Sequence, residues 1–270
     1  MKFFRRPGDP VAIAEQLVEQ GIAFSKQNRS ADAVAAFSRA EAALAQAPDD
    51  RVLALARWRL SMELAVMSEP GQAVAAGRNA LGNSRAVLAG GGDDDRAAEI
   101  AVVFTDVAEV LTGAGYPQEG DAVRAEAEQA FRDSTHPALR RARGTLMHNI
   151  AAARWRAIGA PGMTTETIRE PLTDMLDWAG RAVQVRREFR DAGDPITWYE
   201  LANSLRLLAQ GSAMAGKLDL MADAVAEALP QVQPLAPGPA VDQLRGELGV
   251  LVQFLERVAP GKLSERGARG

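Results

Sequence analysis

Cysteine is absent from this 270-residue chain, and histidine and aromatic residues are scarce. Without cysteine the chain forms no disulfide, no thiolate metal site and no cysteine nucleophile. Its two histidines, His136 and His148, are too few for a histidine-rich metal site. Aromatic residues make up only 5% of the chain, and alanine is the commonest apolar residue. This composition favours closely packed helices over a β-sandwich.

Strong positive charge and long apolar runs are also missing. A dedicated nucleic-acid-binding domain is usually strongly basic, so the net charge of −4 argues against one. No apolar run reaches the roughly 18 residues that a membrane-spanning helix needs. The first residues lack the apolar segment of a signal peptide. We therefore expect a cytoplasmic protein with no nucleic-acid partner, no membrane partner, no metal and no cofactor.

A two-helix phrase recurs along the chain. Each copy has an apolar–small pair in its first helix, a large residue three positions later, a turn, and an alanine-rich second helix. Successive small positions are 40, 47, 43 and 58 residues apart. These small positions are Gly21, Ser61, Ala108, Ala151 and Ala209. Repeats of this kind predict a helical solenoid, a class that usually binds other molecules rather than transforming them.

The phrase resembles the tetratricopeptide repeat. The first copy fits that pattern best, with Leu17, Gly21, Phe24, Ala33, Phe37 and Ala40. The copies around residues 149–151 and 204–209 resemble the kinesin-light-chain style of repeat. The resemblance implies an all-α, right-handed α-solenoid of about five helix-turn-helix repeats with a C-terminal capping helix. An alanine-rich helical bundle is the alternative, because small residues pack helices closely there too.

Glycine- and proline-rich breaks predict where the helices begin and end. We expect a flexible arm over residues 1–9, a single repeat domain over 10–258 and a disordered tail over 259–270. A loop or short helix is expected over 159–170. Within the domain, helices are predicted over residues 11–26, 31–47, 50–67, 70–88, 95–112, 118–132, 137–158, 171–190, 196–215, 218–229 and 240–258.

The resemblance also implies a binding surface, because the first helix of each tetratricopeptide pair lines a concave groove. The surface is apolar in its middle and basic towards one end, which favours a protein or peptide partner that carries an acidic residue. Tryptophan and arginine are common binding hot spots. The alternative is that Trp58 and Trp155 pack between repeats, as large aromatic residues usually do. The implied groove residues are Trp58, Met62, Glu109, His148, Trp155, Arg156 and Arg206.

Two charged clusters allow other interpretations. Arginines between residues 132 and 156 either meet an acidic partner or form a solvated face balanced by the acidic residues of 119–128. These arginines are Arg132, Arg140, Arg141, Arg143, Arg154 and Arg156. The acidic run at residues 93–95 and Glu99 resembles a magnesium-binding motif, although helix capping explains it equally well.

The sequence therefore favours a non-catalytic scaffold or adaptor that binds a peptide or protein in its groove. One rival is a sensor of small molecules or peptides with a closed apolar pocket around Trp58, Met62 and Trp155. Another is a helical, magnesium-dependent enzyme that uses Asp94, Asp95 and Glu99. His148 is a candidate general acid or base. Because the sequence pairs no nucleophile with it, we favour a structural role for this histidine. The array is also expected to self-associate, or else to cap its core, through Leu244, Leu248, Leu251 and Leu255.

Overall fold

A computed structural model describes residues 9–45, 47–90, 94–159, 161–191 and 193–267, and these residues form twelve helices and no strand. The predicted all-α solenoid class is confirmed. The helices are α1 (Pro10–Lys26), α2 (Ser30–Ala43), α3 (Asp50–Val66), α4 (Pro70–Ala89), α5 (Asp94–Gly113), α6 (Pro117–Phe131), α7 (Pro137–Ile158), α8 (Arg169–Glu188), α9 (Pro195–Met214), α10 (Leu218–Val232), α11 (Pro239–Val258) and α12 (Lys262–Gly267).

The helix starts follow local rules that the sequence carries. Asp9, Asp49 and Asp194 each precede a helix, and each carboxylate accepts a hydrogen bond at 3.0 Å from a backbone N–H of its first turn. This contact satisfies a donor that the helix itself cannot pair. A proline opens α1 and α9, where its missing N–H costs nothing.

The turn inside four of the helix pairs repeats one backbone feature. A residue with positive φ lies two positions before the second helix in each of these turns. A left-handed residue at this place ends the first helix and reverses the chain. The four residues and their φ angles are Asn28 (57°), Ser68 (61°), Gly115 (92°) and Gly216 (68°).

Small residues allow the two helices of a pair to approach closely. A Cβ atom on Gly21 of α1 would lie 2.4 Å from the Phe37 ring of α2, so only glycine fits there. In the second pair, the buried Ser61 hydroxyl donates a hydrogen bond to the carbonyl of Ala73 at 2.7 Å. The small position of the repeat is therefore a contact point between helices.

The chain divides into two compact units, one running to Ala142 and the other starting at Arg143. In the first unit, α1, α2 and α3 share one apolar cluster, and Phe104 packs edge-on against Phe131 with ring centroids 5.9 Å apart. The core of the second unit joins residues of α7 to α11. A single repeat domain over 10–258 stays a prediction.

The C-terminal segment decides between the two alternatives for α11 and contains one helix that was not predicted. The apolar row of α11 is buried in the core of the second unit, so it caps that core and is not a self-association surface. The row comprises Leu244, Leu248, Leu251 and Leu255. Within the expected disordered tail, Lys262–Gly267 forms the short helix α12, tied to α10 because Lys262 and Arg266 both contact Asp219. The expected N-terminal arm lies outside the described residues, except for Asp9.

Ion pairs between successive repeats occur at a nearly constant spacing. In the first unit, Arg78 pairs with Glu119 and Arg85 pairs with Glu126, each with two hydrogen bonds across 41 positions. In the second unit, Arg187 of α8 pairs with Glu227 of α10 across 40 positions. Arg206 of α9 pairs with Glu247 of α11 across 41 positions. The structural period is thus longer than the roughly 34 residues of the ideal repeat.

Candidate functional site

The first unit contains a cavity of about 490 Å³ between the end of α3, the start of α4 and the end of α5. Its walls are mostly small side chains, which leave room for a guest, and Glu109 is its one charged lining residue. One of the wall residues, Glu109, is among the groove residues that the repeat resemblance implies. The complete lining is Ala65, Ser68, Pro70, Ala73, Glu109, Val110, Gly113 and Ala114.

The floor of this cavity belongs to an apolar cluster that joins α3, α4 and α5. Val110 and Ala73 are buried in that cluster and also line the cavity, and Met62 packs against it. Val66 and Met67, next to the lining in the chain, are exposed. An apolar guest would therefore meet an apolar floor.

Glu109 is held in place by a buried arginine that the sequence analysis missed. Arg124 of α6 is only 2% exposed, and its Nη2 donates to Glu109 Oε1 at 2.7 Å and to Thr112 Oγ1 at 3.0 Å. Its Nη1 donates to Asp121 at 2.9 Å. Gly120 makes room for this contact, since a Cβ there would lie 2.5 Å from the Thr112 hydroxyl.

Trp58 is a packing residue, which is the alternative that the sequence left open. It is 7% exposed, its indole N–H donates to Asp106 Oδ2 at 3.2 Å, and the Arg59 guanidinium lies 4.0 Å from its ring centroid. Burial raises the pKa of Asp106 above its ordinary value and lowers the pKa of Arg59. A partner would have to disrupt this packing to reach the indole.

In the second unit, His148 is part of a buried polar network between α7, α8 and α9. Its Nδ1 lies 3.0 Å from the Ser204 hydroxyl, which also accepts a hydrogen bond from Arg186. Burial, and then the charges of Arg186 and Arg206, hold the pKa of His148 well below its ordinary value. Because Ser204 is fully buried, a substrate has no access to this histidine–serine pair. The network joins three helices and has the character of a structural element.

The other predicted residues of the second unit have different surroundings. Arg206 donates to Glu247 at 2.7 Å and to Asn203 at 2.9 Å, so its guanidinium joins α9 to α11. Trp155 is half-buried and packs against the core of the second unit. Arg156 is exposed. Of the seven predicted groove residues, Glu109 lines the cavity of the first unit and Met62 packs against its floor.

A larger cavity, of about 740 Å³, lies at another edge of the first unit. Aspartates and arginines both line it, among them Asp49, Asp133 and Arg96. Arg51 in its wall is held by Glu15 and Glu99. Side chains of both charges face this cavity, and they favour no particular ligand charge.

Two of the three acidic residues proposed for a magnesium enzyme, Asp95 and Glu99, contact basic side chains. Glu99 pairs with Arg51 at 2.9 Å, and Asp95 lies 3.2 Å from His136. Asp93 lies outside the described residues. Among the residues that the structure describes, no group of three or more histidine or carboxylate side chains is arranged to hold a metal ion. Nor does any helix in the described ranges have the length and apolar character needed to cross a membrane.

A solved structure with a similar fold is that of BtubC (BKLC) from P. vanneervenii. It superposes with a TM-score of 0.65 at 14% sequence identity, and the match covers 85% of this chain and 85% of that one. The chain has a tetratricopeptide-type repeat fold. The resemblance seen in the sequence is thus confirmed at the level of the fold.

PilF from Pseudomonas aeruginosa also matches, with a TM-score of 0.49 at 15% identity over 97% of this chain and 99% of that one. No protein-family model matches the sequence. A comparison with curated proteins finds no match either.

Two arginines of the cluster at residues 132–156 form ion pairs with nearby carboxylates. Arg132 pairs with the buried Glu128 four positions earlier, and Arg154 pairs with Asp174 at 2.8 Å. The first of these pairs uses an acidic residue of 119–128, as the balanced-face interpretation expects. Both arginines therefore contribute to contacts within their own unit.

Proposed function

We propose that this chain is a non-catalytic adaptor, and that its first unit binds a protein segment in the cavity between α3, α4 and α5. The observation that carries the proposal is the cavity itself: about 490 Å³ of space, walled mostly by small residues and lined by the predicted groove residue Glu109. Ligand-binding pockets have volumes of about 300–1,000 Å³.

The guest is an apolar side chain of an extended or helical partner segment. Transfer of such a side chain from water to the floor formed by Val110 and Ala73 gives about 1.5–3 kcal/mol. Val66 and Met67, which directly follow the lining residue Ala65 in the chain, are exposed apolar residues that a longer segment could also contact. One anchored side chain alone gives weak binding, so affinity depends on contacts along the rest of the segment.

The sequence predicts a partner that carries an acidic residue. That expectation depended on Arg156 and Arg206, and Arg206 is already paired with Glu247 at 2.7 Å. The cavity wall of the first unit instead presents Glu109. We therefore define the partner of this cavity by its apolar side chain and not by an acidic one.

Gly113 offers a direct way to test the site. A Cβ atom at Gly113 would meet nothing within 4 Å, so a Gly113→Trp side chain can enter the cavity without straining the helix. Gly82 of α4 is equally open, and it is absent from the cavity lining. Gly82→Trp is thus a matched control that adds the same apolar surface elsewhere.

The experiment is a selection of peptides from a random displayed library on the immobilised full chain. We expect enriched peptides to share an apolar residue, to bind the Gly82→Trp protein and to lose binding to the Gly113→Trp protein. Circular dichroism and thermal melting establish that both variants are folded. Enriched peptides that bind the Gly113→Trp protein as well as the unaltered chain would place the binding site elsewhere, and a failure to enrich any peptide would contradict the adaptor proposal.

A further inference from the structure

Helix α11 carries a second apolar row, which is exposed and runs beside its buried leucines. Residues at a spacing of four lie along one ridge of a helix surface. Along this ridge Gly246 is followed by Val250, Phe254 and Val258, which are 65%, 39% and 44% exposed. Three exposed large apolar residues in one row are unusual for a surface helix whose other face already fills the core.

The same ridge has an acidic residue at one end and a basic residue at the other. Asp242 lies four residues before Gly246, at the start of the row, and its side chain is 60% exposed. Its Oδ1 atom lies 3.6 Å from Nη1 of Arg245. Arg257, next to Val258, is exposed near the end of α11. The row is thus acidic, then small, then apolar, then basic.

This order is complementary to itself when the helix is reversed. If a second α11 lies antiparallel with Val250 beside Val250, then Gly246 of each copy faces Phe254 of the other. Asp242 of each copy then lies opposite Arg257 of the other, because the midpoint of these two positions is within half a residue of Val250. A Cβ on Gly246 would meet nothing within 4 Å, so a facing phenylalanine ring finds open space above this glycine.

We propose that this face of α11 binds a second copy of the chain, as a twofold dimer with the two α11 helices antiparallel. A twofold interface makes every contact twice, so each copy contributes one Asp242–Arg257 pair and one Phe254–Gly246 contact. The apolar pairs and the charged pair are all symmetric about nearly the same point on α11. This symmetry favours a second copy of the chain, because a different partner would not require it.

The dimer is a weak, concentration-dependent one. A helix of 20 residues is about 30 Å long, and one helix pair buries less surface than the roughly 1,200–2,000 Å² of a stable interface. The first test is sedimentation velocity of the full chain over a wide range of concentration. We expect the weight-average mass to rise from monomer to dimer.

A matched pair of variants separates this face from the rest of the surface. Val250→Asp buries a charge at the centre of the interface and should weaken the dimer about tenfold or more. Ile196→Asp introduces the same charge at another apolar residue of similar exposure, 61%, at the start of α9. Dimerisation should survive in the Ile196→Asp protein. A Val250→Asp protein that dimerises like the unaltered chain would overturn the proposal.

Charge reversal tests the antiparallel arrangement. Asp242→Arg alone, or Arg257→Asp alone, makes both ion pairs of a homodimer repulsive, so each variant should dimerise several-fold more weakly. An equimolar mixture of the two variants restores opposite charges at both pairs and should form heterodimers. Circular dichroism verifies that each variant is folded. If mixing restores nothing, or if the unaltered chain stays monomeric at every concentration, the proposed interface is wrong.

This inference is independent of the adaptor proposal. Val250→Asp changes no residue of the cavity between α3, α4 and α5, so a selected peptide should bind that variant unchanged. Conversely, Gly113→Trp should leave dimerisation intact. Failure of one proposal can therefore be told apart from failure of the other.

Discussion

Gly21→Ala should destabilise the first unit, although alanine is the better helix former. A Cβ at Gly21 would lie 2.4, 2.7 and 2.8 Å from three atoms of the Phe37 ring. Phe37 is fully buried, so its ring has no open space into which it can move. The variant therefore forces α1 and α2 apart, or else distorts the rotamer of the ring.

The size of the effect follows from two opposing contributions. Replacing glycine with alanine inside a helix gains about 1 kcal/mol, and overpacking a core costs about 1–3 kcal/mol. We expect a net loss of about 1–2 kcal/mol at Gly21, because the overlap involves a whole ring edge. The control is Gly180→Ala in α8, where a Cβ meets nothing within 4 Å. That variant should gain about 1 kcal/mol from helix propensity alone.

The assay is hydrogen exchange measured by mass spectrometry, since it reports α1 and α2 separately from the second unit. Gly21→Ala should speed exchange in both helices, and a second change, Phe37→Leu, should remove most of the extra loss. A double-mutant cycle then gives the coupling between the two positions. If Gly21→Ala slows exchange in α1 and α2, or if the two changes are additive, the close contact does not limit this position.

Three further predictions concern pH, capping and surface charge. Because burial lowers the pKa of His148, the unfolded chain binds more protons, so stability is complete above the ordinary value of 6.5 and falls below it by up to about 1.4 kcal/mol per pH unit. Urea titrations should show this slope in a His136→Gln protein and lose it in a His148→Gln protein. Asp194→Ala removes the cap of α9 and should cost about 1 kcal/mol in a urea titration, whereas Asp194→Asn should cost much less. Arg85→Gln breaks the exposed pair with Glu126 and should change the free energy of unfolding by only about 0–1 kcal/mol, so a larger loss would contradict the solvent-exposed geometry.

The sequence was sufficient to predict the eleven helices α1 to α11, because their limits depend on neighbouring residues, whereas the short α12 was not predicted. Asp49 as a cap, Pro70 at a helix start and the small Gly21 all act within a few positions of the chain or within one helix pair. Most predicted helix ends agree with the structure to within a few residues, and the largest difference is α2, which ends at Ala43 and not near residue 47.

The site was predicted less well, because side-chain pairing depends on residues far apart in the chain. The repeat resemblance placed Trp58 and Arg206 on a groove face, but their partners Asp106 and Glu247 decide that Trp58 is packed and Arg206 is paired. Arg124 was missed since its role needs Glu109, fifteen positions earlier on another helix. A recurring arginine-to-glutamate spacing of 41 was present in the sequence, as the two bidentate pairs of the first unit show.

The central claim is that the cavity between α3, α4 and α5 binds a partner segment. Isothermal titration calorimetry of one selected peptide tests this claim most directly, with the unaltered chain, Gly113→Trp and Gly82→Trp measured side by side. We predict similar dissociation constants for the unaltered chain and for Gly82→Trp, and at least tenfold weaker binding, a loss of about 1.4 kcal/mol, for Gly113→Trp. Equal affinity in all three proteins would show that the peptide binds outside the cavity and would contradict the claim.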